Sequence, residues 1–301
     1  MKRFILFIAV NLLIMLAVTL VVNIFHIQPY LTRTGINYRG LLIFCSLFGF
    51  GGAFISLQLS RVAAKWSMGV QLLDPENPGS PREARIVDIV RAACRKAGLS
   101  HLPEIGVYQS PEVNAFATGP SRRRALLAIS SGLLDAMDER AIEGVVGHEI
   151  SHIVNGDMVT MTLVQGVVNT FVYFAAQIAA FAIENAMRSR DEEGRGGLGF
   201  FAQYILIYAL ETGLMFLASP LIYAFSRWRE YRADAGSARL EGRDTMIHAL
   251  ESLKTATQVV DSRAPAYSAF KINGRGHGLW ALLFASHPPI DARIRALQRG
   301  G

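Results

Sequence analysis

The chain has 301 residues, of which 51% are hydrophobic, and its mean hydropathy is +0.29. This composition excludes an ordinary soluble domain and predicts membrane spans. The net charge is +6, but many basic residues flank apolar runs, which favours a lipid bilayer over nucleic acid as the partner, and the two cysteines exclude a disulfide framework.

Four apolar runs are long enough to cross a bilayer as helices. The first run, 4–25, holds 22 residues without a charge and would form a helix of about 33 Å. A signal peptide is the alternative, but this run is longer than such segments and no small-residue cleavage site follows it. The other runs are 40–60, 158–183 and 198–225. We therefore predict an integral membrane protein with four transmembrane helices.

The polar stretches between these runs, 61–157 and 226–301, are together the size of one ordinary domain. Three short strands are predicted in the first stretch, and helices predominate in both. The predicted strands are 104–108, 114–118 and 125–130, and the predicted helices are 83–97, 138–154, 226–240, 243–255 and 288–298. The fold class is thus α+β, a mainly helical domain with a small sheet.

The helix predicted over 138–154 carries the strongest chemical signal, His148-Glu149-Ile150-Ser151-His152. Residues four apart lie on one face of a helix, so both imidazoles can reach one metal ion. Zinc accepts neutral imidazole and keeps an open position for water in catalytic sites. A neighbouring carboxylate, here Glu149, can act as general base on that water. The pattern alone also occurs by chance, so its context decides its meaning.

A catalytic zinc site needs a third protein ligand. Glu230 and Asp234 share a face of the helix predicted after the fourth apolar run. Glu230 can bind the metal, and Asp234 can accept a hydrogen bond from the far nitrogen of a histidine ligand. The alternatives are a surface acidic pair joined to arginines, or ligation by His277 or His287.

Together these motifs resemble the HtpX family of bacterial membrane zinc endopeptidases, which is related to the CAAX prenyl proteases. The resemblance covers nearly the whole chain. It includes Asn114–Gly119, His148–His152 with Asn155-Gly156-Asp157, Ser226-Arg227, Glu230–Asp234, His287-Pro288-Pro289 and Arg293-Ile294.

The resemblance implies a zincin-type metalloprotease domain with one Zn²⁺ per chain, held by His148, His152 and Glu230, and catalysis by Glu149. It also implies quality-control proteolysis of misfolded or damaged membrane proteins, overlapping with the FtsH protease. The basic residues beside the apolar runs place both termini and this domain in the cytoplasm of a bacterial cell, at the inner membrane.

Three functions remain in competition. The first is a membrane zinc endopeptidase, and the second is a prenyl-peptide processing enzyme with the same chemistry, which would need a chamber closed by more spans. The third is a transporter or membrane scaffold with a structural metal, which would need a closed shell of four protein ligands. Three protein ligands beside a glutamate base favour an enzyme.

Two further roles are predicted in the polar stretches. The segment Asn114, Ala115, Phe116 and Ala117 is expected to form an edge strand that binds substrate through its main chain. His287 precedes two prolines and is expected to stabilise the oxyanion, with Arg293 sharing that role or bracing it. The alternative for His287 is that it caps or packs the last helix.

Overall fold

The structure is a computed structural model that describes residues 31–32, 35–188, 199–263, 285 and 287–300. The first predicted span, 4–25, lies outside these residues. The strands, in chain order, are β1 (Leu31–Thr32), β2 (Gly35–Ile36), β3 (Gln71–Leu72), β4 (Glu104–Tyr108), β5 (Ala115–Thr118) and β6 (Leu126–Ser130). The helices are α1 (Tyr38–Met68), α2 (Pro81–Lys96), α3 (Ser131–Ala136), α4 (Glu139–Asn155), α5 (Asp157–Arg188), α6 (Phe200–Glu241), α7 (Arg243–Arg263) and α8 (Ile290–Gln298).

Among the described residues, three helices are long and apolar enough to cross a membrane: α1, α5 and α6. They contain the second, third and fourth predicted spans. The backbones of α1 and α5 approach closely, since a Cβ added at Gly49 would lie 2.8 Å from the carbonyl oxygen of Gly166. Small residues permit this packing where lipid offers no hydrophobic driving force between helices.

The chain divides into two compact units. The first comprises residues 1–56 and 162–222, and the second comprises 57–161 and 223–301. The second unit contains the mixed four-stranded sheet, in the order β3-β4-β6-β5. Strands β4 and β6 are parallel, whereas β3 and β5 pair antiparallel at the two edges. The sequence predicted β4, β5 and β6 but missed the two-residue β3.

Side chains of the sheet alternate between two apolar clusters. Ile105, Leu127 and Ile129 lie in the larger cluster, together with residues of α2 and α4. Tyr108, Leu126 and Ala128 face the other way, where the last turns of α1 cover them. Because both faces are covered, β5 presents to its surroundings mainly its outer edge.

Each end of helix α4 lies within one residue of the predicted bounds, 138–154. Asp138 is the N-cap, because its side chain accepts a hydrogen bond from the N–H of Ala141 at 2.8 Å. Gly156 ends the helix with φ of 70°, a left-handed conformation that favours glycine. The chain therefore turns sharply before α5 begins at Asp157.

Helix α6 runs without a break through the fourth apolar run and the helix predicted over 226–240. Pro220 lies inside this helix without ending it, although proline removes one backbone hydrogen bond and favours a kink. The fall in hydropathy after Phe225 therefore marks no end of the helix. The predicted break at Gly242 is confirmed, with φ of 96°.

Small residues let α4 and α6 pack closely. A Cβ added at Gly147 would lie 2.7 Å from Oγ of Ser237, and one added at Gly236 would lie 2.5 Å from Oγ of Ser151. The hydroxyl of Ser237 also donates to the carbonyl of Gly144 at 2.8 Å. This close antiparallel pairing carries Glu230 to the histidines of α4.

Candidate metal centre

His148, Glu149 and His152 lie on the buried part of α4, and each is less than a tenth exposed. The two histidines are one helical turn apart, and their Nε2 atoms are 3.1 Å from each other. Two ring nitrogens at this distance cannot both present a lone pair without a proton or a cation between them. The helix therefore prepares half of a cation site by itself.

Glu230 of α6 completes the cluster. Its Oε2 lies 3.5 Å from Nε2 of His148, and its Oε1 lies 3.4 Å from Nε2 of His152. With zinc–ligand distances near 2.0–2.1 Å, the ligand atoms of a tetrahedral site are about 3.3 Å apart. The distance between the two Nε2 atoms and the distance from each of them to its nearest Glu230 oxygen are close to that spacing. These residues therefore suit a zinc ion, which agrees with the ligand set expected from the sequence.

Asp234 lies on the far side of His148. Nδ1 of His148 lies 2.9 Å from Oδ1 of Asp234. Arg293 of α8 donates to both carboxylate oxygens of Asp234, at 2.7 and 2.5 Å, and all three side chains are buried. Arg293 thus acts on the carboxylate, and its NH1 lies 3.9 Å from Oε2 of Glu230.

The far side of His152 is held by Asp157, a role that the sequence analysis missed. Nδ1 of His152 lies 2.6 Å from Oδ2 of Asp157, and Arg232 pairs with Oδ1 of that buried carboxylate. The guanidinium of Arg232 also lies over the ring of Trp228, 4.8 Å from its centroid. The available signal was the motif Asn155-Gly156-Asp157, since a left-handed Gly156 returns the next side chain toward the end of α4.

His287 lies beside the third ligand. Its Nδ1 is 2.9 Å from Oε2 of Glu230, and its side chain is 64% exposed. The residue therefore contacts the third candidate ligand while most of its imidazole is exposed. The alternative ligand His277 lies outside the described residues.

The electrostatics of the cluster favour positive charge at its centre. Burial lowers the pKa of His148, but hydrogen bonds with Asp234 and Glu230 outweigh burial and raise the pKa to about 9. Burial raises the pKa of Glu230, yet hydrogen bonds with His148, His152 and His287 hold it well below its usual range. A metal ion and a proton would therefore compete for the same position.

Glu149 stands apart from this network. Within the described part of the chain, no hydrogen bond or ion pair engages its carboxylate, so it is available for a water molecule. Strand β5 is an edge strand, and Ala115 and Ala117 pack on the cluster that includes Ile150 of α4. The predicted base and the predicted substrate strand thus belong to adjoining elements.

Comparison with known proteins extends these observations. Residues 80–300 match the family model described as peptidase family M48. "Protease HtpX" of Shewanella sp. (strain ANA-3) is 48% identical over 299 residues, 99% of both chains. "Protease HtpX homolog" of Methylacidiphilum infernorum (isolate V4) is 44% identical over 302 residues, 99% of this chain and 98% of that protein.

A solved structure, that of S. mikatae Ste24p, superposes with a TM-score of 0.62 at 16% identity. The match covers 99% of this chain but only 66% of the length of Ste24p. At this identity the likeness concerns the fold alone. The fold of this chain therefore also occurs within a longer protein.

Proposed function

Since this chain belongs to peptidase family M48, we propose that it hydrolyses peptide bonds of membrane proteins with a zinc ion held by His148, His152 and Glu230. The predicted resemblance to the HtpX family is confirmed by the relatives, and the chain is a membrane metalloprotease. The observation that supports the ligand set is the close approach of its members: the two Nε2 atoms are 3.1 Å apart, and the two carboxylate oxygens of Glu230 lie 3.5 and 3.4 Å from them. A carboxylate also contacts the far nitrogen of each histidine.

When bound, zinc supplies a Lewis acid that polarises the scissile carbonyl and lowers the pKa of a water molecule. Glu149 takes a proton from the attacking water as the new C–O bond forms. It then gives this proton to the leaving amine nitrogen as the C–N bond breaks, so the reaction consumes one water and leaves Glu149 ionised. His287 donates a hydrogen bond to the oxyanion that forms on the former carbonyl.

The proposed substrates of the enzyme are misfolded or damaged membrane proteins. The long apolar helices keep the enzyme in the bilayer, where such proteins lie. Basic residues beside the spans, such as Arg61, Lys65 and Arg227, favour the cytoplasmic side of the inner membrane for the active site. This function would overlap with that of the FtsH protease.

The peptide is held by β5. Its outer edge is free of a strand partner within the described residues, and a protease must hold its substrate extended. Ala117→Pro removes one N–H from that edge, so we expect KM for a peptide to rise while metal content stays unchanged. Unchanged kinetics in a folded variant would contradict this role.

The decisive experiment measures metal content and cleavage together. Purified full-length protein is loaded with zinc and given an unfolded membrane protein, and Glu149→Gln is compared with Glu143→Gln, which makes the same change on the same helix. We expect Glu149→Gln to keep zinc and lose cleavage by roughly 10²–10⁴, and Glu143→Gln to keep both. His148→Ala, His152→Ala and Glu230→Ala should lose zinc.

Full cleavage by Glu149→Gln would exclude the proposed mechanism and leave a structural metal. Cleavage of prenylated peptides alone would instead favour a processing enzyme. The quality-control role has its own test, because membranes from cells with active protein and with Glu149→Gln can be compared by proteomics. Accumulation of misfolded membrane proteins in the variant, stronger in cells short of FtsH, is the expected result.

A further inference from the structure

Three consecutive arginines lie in a turn that the proposed reaction does not use. Arg122, Arg123 and Arg124 form a short 3-10 turn between β5 and β6, and all three are exposed. None of them forms an ion pair with any residue in the described ranges. The turn is tightly closed, because a Cβ added at Gly119 would lie 2.9 Å from Cα of Ala125.

The register of the sheet shows at which end this turn lies. Leu126 pairs with Thr118 on one side and with Glu104 on the other, so these residues form the end row of three strands. The turn projects beyond that row. With strands about 4.8 Å apart and about 3.3 Å per residue, Arg124 begins roughly 8 Å from Glu104.

Helix α1 relates the same end of the sheet to the membrane. Oε1 of Glu104 accepts from Arg61 at 3.1 Å, and its Oε2 accepts from Lys65 at 3.1 Å. Strand β3, which follows α1 in the chain, begins near the opposite end of the sheet, where Gln71 pairs with Val107. Helix α1 therefore passes the turn's end of the sheet first and reaches the far end last.

Arg61 is the first charged residue after the uncharged run 40–60. That run of 21 residues spans about 31 Å as a helix, the thickness of the hydrocarbon core. A helix of this length would bring Arg61 to the headgroup layer, and the exposed Trp66 that follows is of a residue type enriched there. Because Arg61 pairs with Glu104, the arginine turn adjoins the end of the sheet that the first charged residue after this run contacts.

We infer that Arg122, Arg123 and Arg124 bind the phosphates of anionic phospholipid headgroups. Arginine matches a phosphate with two parallel donors, and three adjacent arginines suit several headgroups at once. Each basic residue near an anionic surface raises the affinity for that surface by a factor of about five. The three arginines together would therefore favour anionic over neutral lipid by up to roughly a hundredfold at low salt. The lipids would border β5, since Thr118 precedes the turn.

The test measures which lipid gathers at the turn. A fluorophore on Ser121→Cys reports on nanodiscs that hold full-length protein in phosphatidylcholine with one fifth phosphatidylglycerol. A quenching spin label is carried either by phosphatidylglycerol or by phosphatidylcholine, at equal mole fraction. Cys45 and Cys94 are buried, and protein without the new cysteine gives the background. We expect quenching by labelled phosphatidylglycerol to exceed quenching by labelled phosphatidylcholine severalfold. In 0.5 M salt the ratio of the two should come close to one.

The triple variant Arg122→Gln, Arg123→Gln, Arg124→Gln should bring the ratio to about one, and the corresponding lysine triple should keep most of the preference. The matched control replaces Arg82, Arg85 and Arg140 with Gln. These exposed arginines lie near the far end of the sheet, where Arg82 pairs with Asp135 and Arg85 with Glu139. This control removes the same charge and should keep the full preference.

A wild-type ratio near one at low salt would overturn the inference, as would a glutamine triple with an unchanged ratio. An equal loss in the control would also overturn it, because net charge would then be the cause. Should the glutamine triple fail to fold, the salt series and the lysine triple decide the matter, and a ratio insensitive to salt would refute lipid binding at the turn. Peptide cleavage plays no part in these measurements.

Discussion

The candidate metal centre has two halves, each built from a histidine, an aspartate and an arginine, but the two halves differ in their exposure to water. In the His148 half, Asp234 and Arg293 stand behind the ligand, and the arginine side chain is only 8% exposed. In the His152 half, Asp157 and Arg232 stand behind the ligand, and the arginine side chain is 35% exposed. Each half fixes an imidazole tautomer in the same way, but only the first does so entirely out of water.

The drier half lies where the proposed reaction needs a fixed geometry. The His148 half also contains Oε2 of Glu230, which His287 approaches to 2.9 Å. Charge that develops during the proposed reaction would therefore arise beside this half. Arg293 is buried and makes two hydrogen bonds to Asp234, so it fixes the geometry there, because a low local dielectric strengthens each charged contact.

The largest effect that separates the halves is expected from His287→Ala. If the imidazole stabilises the oxyanion, kcat should fall by roughly 10² or more while zinc content and KM change little. The measurement combines metal analysis with peptide kinetics on the same preparation. Normal turnover would show that His287 only packs the start of α8, and loss of zinc would make it a ligand and place Glu230 in question.

The next effect compares the two carboxylates. Asp234→Asn and Asp157→Asn each keep the shape of the side chain and remove its charge. Outer-shell partners of this kind are worth about 10–100-fold in metal affinity. We expect Asp234→Asn near the upper figure, because Arg293 is then left buried without its partner, at a further cost of about 3–5 kcal/mol in folding.

For Asp157→Asn we expect a loss of affinity near tenfold and a folding cost of about 1 kcal/mol or less, because water reaches Arg232. Competition for zinc with a chelator measures the first quantity, and thermal unfolding in detergent measures the second. Equal losses for both variants would show that burial does not distinguish the two halves.

The sequence predicted local parts of this site better than distant ones. The spacing of His148 and His152 follows from one helical turn, and the N-cap of α4 at Asp138 follows from its residue type. Asp157 was not predicted, because helical spacing relates only residues within one helix and Asp157 follows the C-cap of α4. Its side chain returns to His152 only because Gly156 turns the backbone.

Distant parts needed the tertiary structure. Arg293 is 59 residues from Asp234 and 145 from His148, and no local pattern relates them. The sequence suggested that Arg293 braces His287 or shares its role, whereas the structure places it on Asp234. The close packing of Gly147 on Ser237, which brings Glu230 to α4, likewise depends on the shape of both helices.

The arginines themselves are expected to have effects no larger than that of Asp157→Asn, and they compare the two halves most finely. Arg293 holds Asp234 through two donors at 2.7 and 2.5 Å, so Arg293→Lys should behave almost as badly as Arg293→Gln, because an ammonium cannot reproduce the fork. Each should lower zinc affinity by about tenfold, since Asp234 keeps its bond to His148 but loses its support.

Arg232 instead contacts Asp157 from a partly wet position and stacks on Trp228. Arg232→Gln should therefore lower zinc affinity by only about threefold, within the range of a partly exposed ion pair. Arg232→Lys should restore most of that loss, because a single charge near Asp157 suffices. The chelator competition that ranks the aspartate variants ranks these as well. If Arg232→Gln loses as much zinc affinity as Arg293→Gln, exposure to water does not determine how much each arginine contributes to that affinity. The stacking of Arg232 on Trp228 would then have to compensate for the greater exposure of its ion pair with Asp157.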